Sequence, residues 1–178
     1  MRQTIVETER LKLYRIVKDD FSELAKMLCD ARVMYAWEHA FSDQEVDNWI
    51  AQQMRLYEQV GYGYMIAKDK LTGETVGQIG VLPEKVGGEE TVFGVGYILC
   101  FDHWGKGYAV EGAKGCLEYA FTALGAKSVV CTIRPENQTS VAVAKKLGMT
   151  QNGQFIKHYN GKDMPHLIYA IDRVQAGY

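Results

Sequence analysis

Trp104-Gly105-Lys106-Gly107-Tyr108-Ala109 stands between an apolar run, residues 92–101, and an amphipathic stretch, residues 110–124. The pattern predicts a strand that ends here and a helix that begins here. Two glycines at that junction take positive φ without penalty, so several backbone N–H groups can converge at the positive end of the helix dipole. Such a turn suits a phosphate group.

Working outward, the chain reads as strands and helices in turn. Residues 10–17 alternate (Leu11 and Leu13 against Lys12 and Tyr14) and predict a first strand. Asp19-Asp20 caps a helix with Phe21, Leu24, Ala25 and Leu28 on one face. Ser42 with Glu45 forms a capping box ahead of Val46, Trp49, Ile50, Gln53 and Leu56. Residues 62–68 and 74–82 flank the turn Leu71-Thr72-Gly73 as an antiparallel hairpin that Pro83 is expected to stop. A loop with Glu84, Gly87-Gly88, Glu89 and Glu90 leads into the strand before the glycine turn. After the long helix come a β-branched strand at 128–133, a break at Pro135, and a helix from Asn137 to Gly148. Residues 150–159 and 165–171 then flank Asn160-Gly161, a hairpin signal.

At 178 residues the chain is expected to form a single domain spanning 1–178. Hydrophobic residues make up 47% and only three prolines occur, which excludes a disordered or low-complexity chain. A formal charge of −2 offers no general attraction to a polyanion, so nucleic acid is not expected as a partner. No apolar run is long enough to span a bilayer and no signal-peptide core opens the sequence, so a cytoplasmic location without membrane contact is expected. Cys29, Cys100, Cys116 and Cys131 are widely spaced with no His at ligand distance, which reads as reduced buried thiols rather than a metal site or disulfides.

Three phosphate-binding frames compete for the glycine turn. A P-loop needs GxxxxGK followed by Ser or Thr, yet Gly107 to Gly112 is followed by Ala113-Lys114-Gly115. A dinucleotide fingerprint wants a third glycine where Val110 stands, and an acid in the neighbourhood that Lys127 occupies. Neither fits. Taken by itself, the pair of glycines is equally a purely structural strand-to-helix turn.

The segment resembles motif A of the GNAT family of N-acetyltransferases. The family pattern is Gln or Arg, two residues, Gly, one residue, then Gly or Ala, and it falls on Trp104, Gly107 and Ala109. Trp in the first place, and Glu111 two residues after Ala109, are similar to the RimJ/RimL-like branch. Asn137, Ser140, Lys146, Leu147, Gly148 and Met149 resemble the second motif, with Met149 where Phe is usual. The element order matches over nearly the whole chain. The resemblance implies an α/β fold (α+β by some schemes), a mixed twisted sheet of about six to seven strands flanked by helices.

It also implies acetyl-CoA as co-substrate. The pyrophosphate would lie on the backbone of Trp104, Gly105, Lys106, Gly107, Tyr108 and Ala109. The pantetheine would pair with Tyr97, Ile98 and Leu99, where a backbone N–H near Ile98 or Leu99 would face the thioester oxygen. Asn137 is read both as a helix N-cap and as an amide contact to pantetheine, compatible if different atoms are used. Lys106 and Lys146 are read as phosphate contacts or as ordinary surface and helix-end lysines. Glu111 is read as structural, because a carboxylate in the first helical turn complements the dipole and would repel phosphate.

The chemistry needs a neutral amine, a proton donor for the departing thiolate and no covalent enzyme intermediate. Many members of the family carry a Tyr seven residues after the Asn, and Ala144 stands there. Ser140 is the replacement that the resemblance suggests. Glu38 and His39, between the first two helices, and Tyr97 are candidates on the acceptor side; His103 is a weaker one. His158 and His166 read as packed or surface residues, and Tyr35, Trp37, Phe41, Trp49, Tyr62 and Tyr64 as core or as the wall of an acceptor cleft. The expected activity is transfer of acetyl to a primary amine, a small molecule or a peptide or protein N-terminus, by a monomer or homodimer. The alternative is a non-catalytic acyl-CoA-binding regulatory module.

Overall fold

A computed structural model describes residues 2–88, 90–159 and 161–178. Eight strands form one sheet: β1 (Thr4–Glu7), β2 (Leu11–Arg15), β3 (Tyr64–Asp69), β4 (Thr75–Lys85), β5 (Thr91–Leu99), β6 (Ser128–Ile133), β7 (Thr150–Tyr159) and β8 (Lys162–Asp172), in the order β1-β2-β3-β4-β5-β6-β8-β7. Every neighbouring pair is antiparallel except β5 and β6. Among the described residues four α-helices cover its faces: α1 (Phe21–Leu28), α2 (Asp43–Gln59), α3 (Tyr108–Thr122) and α4 (Gln138–Lys146).

Side chains alternate across a strand, so one strand feeds two cores. On β3, Tyr64 and Ile66 belong to a cluster with Leu24, Met27, Leu28, Val46 and Ile50 from α1 and α2. Met65 and Ala67 belong to the opposite cluster, with Ala113, Cys116, Leu117 and Phe121 of α3. The faces expected of α1 and α2 are the ones buried, Leu24 and Leu28 on the first, Val46, Ile50 and Gln53 on the second.

The mixed twisted sheet matches expectation, with one strand more than the six to seven foreseen. The addition is β1, four residues that pair with β2 after a turn in which Thr8 N–H donates to the Leu11 carbonyl (2.9 Å). Four residues are too few for a period-two signal. The hairpin β3–β4 also runs further than expected, through Pro83 to Lys85, because β3 has ended at the Tyr64↔Gly80 pair. Beyond it β4 keeps only β5 as neighbour, and a residue without an N–H is tolerated at such an edge. Glu84 consequently lies in a strand rather than a loop; Glu89 of the same stretch is outside the described residues. Likewise β8 begins at Lys162 and carries Pro165 inside it, opposite Ile156. Gly161 turns with φ 73° as expected, while Asn160 is outside the described residues.

Two local expectations meet different outcomes. The capping box at α2 is present: Glu45 N–H donates to Ser42 Oγ (3.3 Å) and Ser42 N–H to Glu45 Oε2 (2.8 Å). Asp20 makes no side-chain cap to α1; its carboxylate accepts from Val17 N–H (2.9 Å) and from Arg2 Nη1 (2.8 Å). Of the four thiols, Cys116 and Cys131 are buried but Cys29, just past the end of α1, is exposed.

Candidate active site

The parallel pair β5–β6 is joined over only two residue pairs, Phe93↔Val129 and Gly94↔Val130. Beyond them the strands separate. Cys131 Sγ still reaches the Val95 carbonyl (3.3 Å) at the start of the gap, and from there one edge of β5 faces open space instead of a strand. Two cavities occupy that opening, one of about 300 Å³ and one of about 670 Å³.

The smaller cavity lies between the end of β5, the glycine turn and α4. Ile98, Leu99, Trp104, Gly105, Gly107, Tyr108, Ala109 and Lys146 line it; Lys106 does not, and its side chain is exposed. Gly105 (φ 73°) and Gly107 (φ 82°) hold the left-handed backbone that the turn requires, and Gly107 is the N-cap of α3. No side chain caps that helix end, so its first N–H groups are left for solvent or a ligand.

A brace from the far end of the sheet fixes the turn. Glu111 accepts from Thr8 Oγ1 (2.6 Å), Arg10 N–H (2.7 Å) and Arg10 Nε (2.6 Å), while Arg10 Nη1 donates to the Lys106 carbonyl (3.0 Å). The same guanidinium lies 4.3 Å from the centre of the Tyr108 ring, whose hydroxyl donates to Asp69 Oδ2 (2.8 Å). Trp104 is held by an Nε1–H bond to the Leu99 carbonyl (3.1 Å). His103 packs edge-on against Tyr108 and lines the same cavity.

Asn137 caps α4: its Oδ1 accepts from Ser140 N–H (3.1 Å) and also from the Tyr35 hydroxyl (2.9 Å). With the oxygen occupied, the side-chain contact left for a ligand is the Nδ2 donor group. Ser140 uses its backbone on both sides, the carbonyl accepting from Tyr97 Oη (3.2 Å), and keeps its hydroxyl for other partners. Burial pushes the Tyr97 phenol up, which keeps it protonated and unavailable as a base.

Tyr97, Ile98, Trp37, Asn137 and Ser140 line both cavities and so mark where they join. The larger cavity continues over an aromatic wall of Trp37, Phe41, Trp49 and Tyr64, whose neighbouring rings lie 5.4 to 6.2 Å apart. Trp49 Nε1 is anchored on Gln78 Oε1 (3.0 Å). Five charged side chains reach this space from distant elements: Glu45, Glu84, Arg55, Arg134 and Lys157.

The structure does not bring Glu38 or His39 to either cavity. Glu38 sits at φ 67° and pairs with Lys162 (2.6 Å) and Arg134 (3.4 Å), which lower its pKa, Lys162 first. His39 bonds Glu45 Oε1 (2.8 Å), a contact that raises its pKa, while the Ser42 N–H and then His39 draw the Glu45 carboxyl down to about 2. Two residues that the sequence left in other roles line the larger cavity instead. Glu84 was expected in an acidic loop; burial raises its carboxyl pKa, with Lys157 opposing. His166 was expected as a packed strand residue, and it is buried, yet it opens onto this cavity. The available signal was the shared face of Met164 and His166, two apart on β8, but nothing local says what that face meets.

Comparison with known proteins agrees with the fold. Residues 10–150 match the family model described as the acetyltransferase (GNAT) domain. A curated relative, the uncharacterized protein YkkB of Bacillus subtilis, is 33% identical over 148 residues, 83% of this chain and 86% of its own length. An acetyltransferase (GNAT family) from Bacillus anthracis superposes with TM-score 0.79 at 25% identity, covering 94% of this chain and 97% of that one. RimJ of Mycobacterium smegmatis, solved in complex with CoA-disulfide, superposes with TM-score 0.76 at 23% identity, covering 94% of this chain and 84% of that one. With four fifths of its length matched by the family model, the chain belongs to the GNAT family of N-acetyltransferases, enzymes that use acetyl-CoA.

Proposed function

We propose that this chain binds acetyl-CoA along the open edge of β5 and transfers the acetyl group to a cationic primary amine held in the larger cavity. The observation that carries the reading is the separation of β5 from β6 after Gly94, which leaves two cavities joined at Tyr97, Asn137 and Ser140. The residues fit the co-substrate. Backbone N–H groups at the start of α3 would receive the pyrophosphate, Lys146 would add charge, and Asn137 Nδ2 with the β5 edge would receive the amide-rich arm. When bound, acetyl-CoA supplies an activated acyl carbon.

The chain's own residues do the rest. Arg10 and Glu111 hold the turn in the conformation that presents its N–H groups. The β5 backbone offers a donor where the carbonyl oxygen gains charge. Ser140 is the proton donor to the departing sulfur, placed by its own helix start and by Tyr97. On the acceptor side, the aromatic wall offers ring faces to an alkyl ammonium, and Glu45 and Glu84 offer carboxylates in a space that Arg55, Arg134 and Lys157 also reach. That chemistry suits a polyamine-like or peptide N-terminal amine, acting as free substrate to a monomer or homodimer.

The test is direct. Calorimetry should register acetyl-CoA binding, and release of free thiol should depend on an added amine from a panel of N-terminal peptides, polyamines, aminoglycosides and amino acids. Binding without amine-dependent thiol release across the panel would refute the acetyl-transfer reading of this cavity.

A further inference from the structure

We propose that His166 is the general base that takes the proton from the acceptor ammonium. The inference rests on the acetyl-transfer reading above and adds the residue that makes the acceptor nucleophilic. His166 lies on β8, on the same face as Met164, and both line the larger cavity together with Tyr97 and Ser140. His166 is only 9% exposed, and a Phe155 ring on the paired strand lies 5.7 Å from its imidazole, so the ring's orientation is set by packing.

The tautomer follows from one contact. His166 Nδ1 lies 3.0 Å from the Met164 carbonyl oxygen, and a carbonyl can only accept. Nδ1 therefore carries the hydrogen, which leaves the Nε2 lone pair as the basic site. The ring's surroundings favour the neutral form. Burial lowers its pKa, the Met164 carbonyl opposes this, and Lys157 and Arg134 lower it further against a smaller effect of Glu136. These charges come from β7 and from the segment after β6; Glu84 of β4 faces the same cavity. A neutral imidazole with one free lone pair is the state that general-base catalysis at neutral pH requires.

The proton balance closes without another reagent. The acceptor ammonium gives one proton to Nε2, and the neutral nitrogen forms a bond to the acyl carbon. The carbon–sulfur bond then breaks with its electron pair on sulfur. Ser140 Oγ passes a proton to sulfur and receives the second proton from nitrogen, so the products are amide and thiol, and the one proton on His166 returns to solvent through the open cavity.

Two independent measurements test this. In ¹⁵N-histidine NMR of the free protein, His166 should show Nδ1–H with unprotonated Nε2 at pH 7 and titrate below the usual 6.5. An Nε2–H tautomer, or an imidazolium at pH 7, overturns the proposal whether or not an acceptor has been found. In kinetics, His166→Asn keeps an N–H for the Met164 carbonyl but removes the base. For an amine that is an ammonium at the assay pH, kcat/KM should fall roughly 10²- to 10⁴-fold and the acid limb of the pH profile should vanish. An amine already neutral at that pH should lose far less, with acetyl-CoA affinity unchanged. Glu84→Gln should retain the acid limb. An equal loss for both amines, or a limb that survives in His166→Asn and disappears in Glu84→Gln, overturns the assignment. Failure of the parent chain to turn over any amine would instead count against the acetyl-transfer reading, which the NMR result does not depend on.

Discussion

Replacing Glu111 with Gln should loosen both the fold and the glycine turn, because one carboxylate ties them together. Its side chain is 17% exposed and accepts from Thr8 Oγ1, Arg10 N–H and Arg10 Nε within 2.7 Å. An amide of the same shape keeps one oxygen but turns an NH₂ group toward a donor, either Arg10 Nε–H or the Thr8 and Arg10 pair. Charge-assisted hydrogen bonds contribute about 1.5–3 kcal/mol each, and a retained oxygen recovers part, so the expected loss is about 2 kcal/mol. In a chain of this size that corresponds to a melting temperature roughly 4–8 °C lower.

The sign with pH can be worked out. Burial by itself raises the Glu111 pKa, but the Thr8 hydroxyl, the Arg10 N–H and the Arg10 guanidinium together bring it below the ordinary 4.5. A depressed carboxyl pKa contributes stability above the unfolded value, and that stability is lost as pH falls through the folded one. The gap between parent and Glu111→Gln should therefore be full at pH 7 and shrink below about pH 4.5. Because Arg10 also holds the Lys106 carbonyl, acetyl-CoA affinity should fall several-fold in calorimetry. Melting curves that overlay at pH 7 would refute the brace, and a gap that widens in acid would refute the electrostatic account of it.

Other substitutions probe the turn, the proton donor and the sheet. Gly107→Val places a β-branched residue at φ 82°, in a region costing non-glycine residues about 1–2 kcal/mol, with its Cβ 3.5 Å from Arg10 Nη2 of the brace, so the turn must shift; acetyl-CoA binding should weaken at least about tenfold by calorimetry. Undiminished binding would remove the turn from the site. Ser140→Ala should lower kcat by about 10²-fold with acetyl-CoA affinity retained, and unchanged turnover across pH would dismiss the hydroxyl as donor. In Gly80→Ala the new Cβ would lie 2.3 Å from the Gly63 carbonyl oxygen and 2.5 Å from Tyr64 Cα, both backbone. Urea unfolding should show a loss of about 3 kcal/mol or more, since neither strand can yield without breaking the β3–β4 ladder.

The glycine turn and the α4 cap were legible because they are local. Trp104 to Ala109 carries its own conformational demand, two left-handed glycines between a strand and a helix, and Asn137 with Ser140 is one N-cap and its third residue. Short-range rules of turn geometry and capping read such features directly from residue order. What escaped them were elements whose identity depends on a neighbour. The strand Thr4–Glu7 exists through its pairing with β2, and Pro83 continues a strand because β3 has already ended beside it.

The sequence by itself determined the family, the strand–turn–helix built on two left-handed glycines, and the absence of the usual Tyr at position 144. Only the tertiary structure decided which side chains line the larger cavity. Glu38 and His39, adjacent to the cleft in sequence terms, are drawn into pairs with Lys162 and Glu45, while Glu84 and His166, 82 positions apart, line one cavity. The physical reason is the sheet order. Where β5 and β6 separate, β4 lies beside one arm and β8 beside the other, so side chains that no periodicity links come to face the same opening.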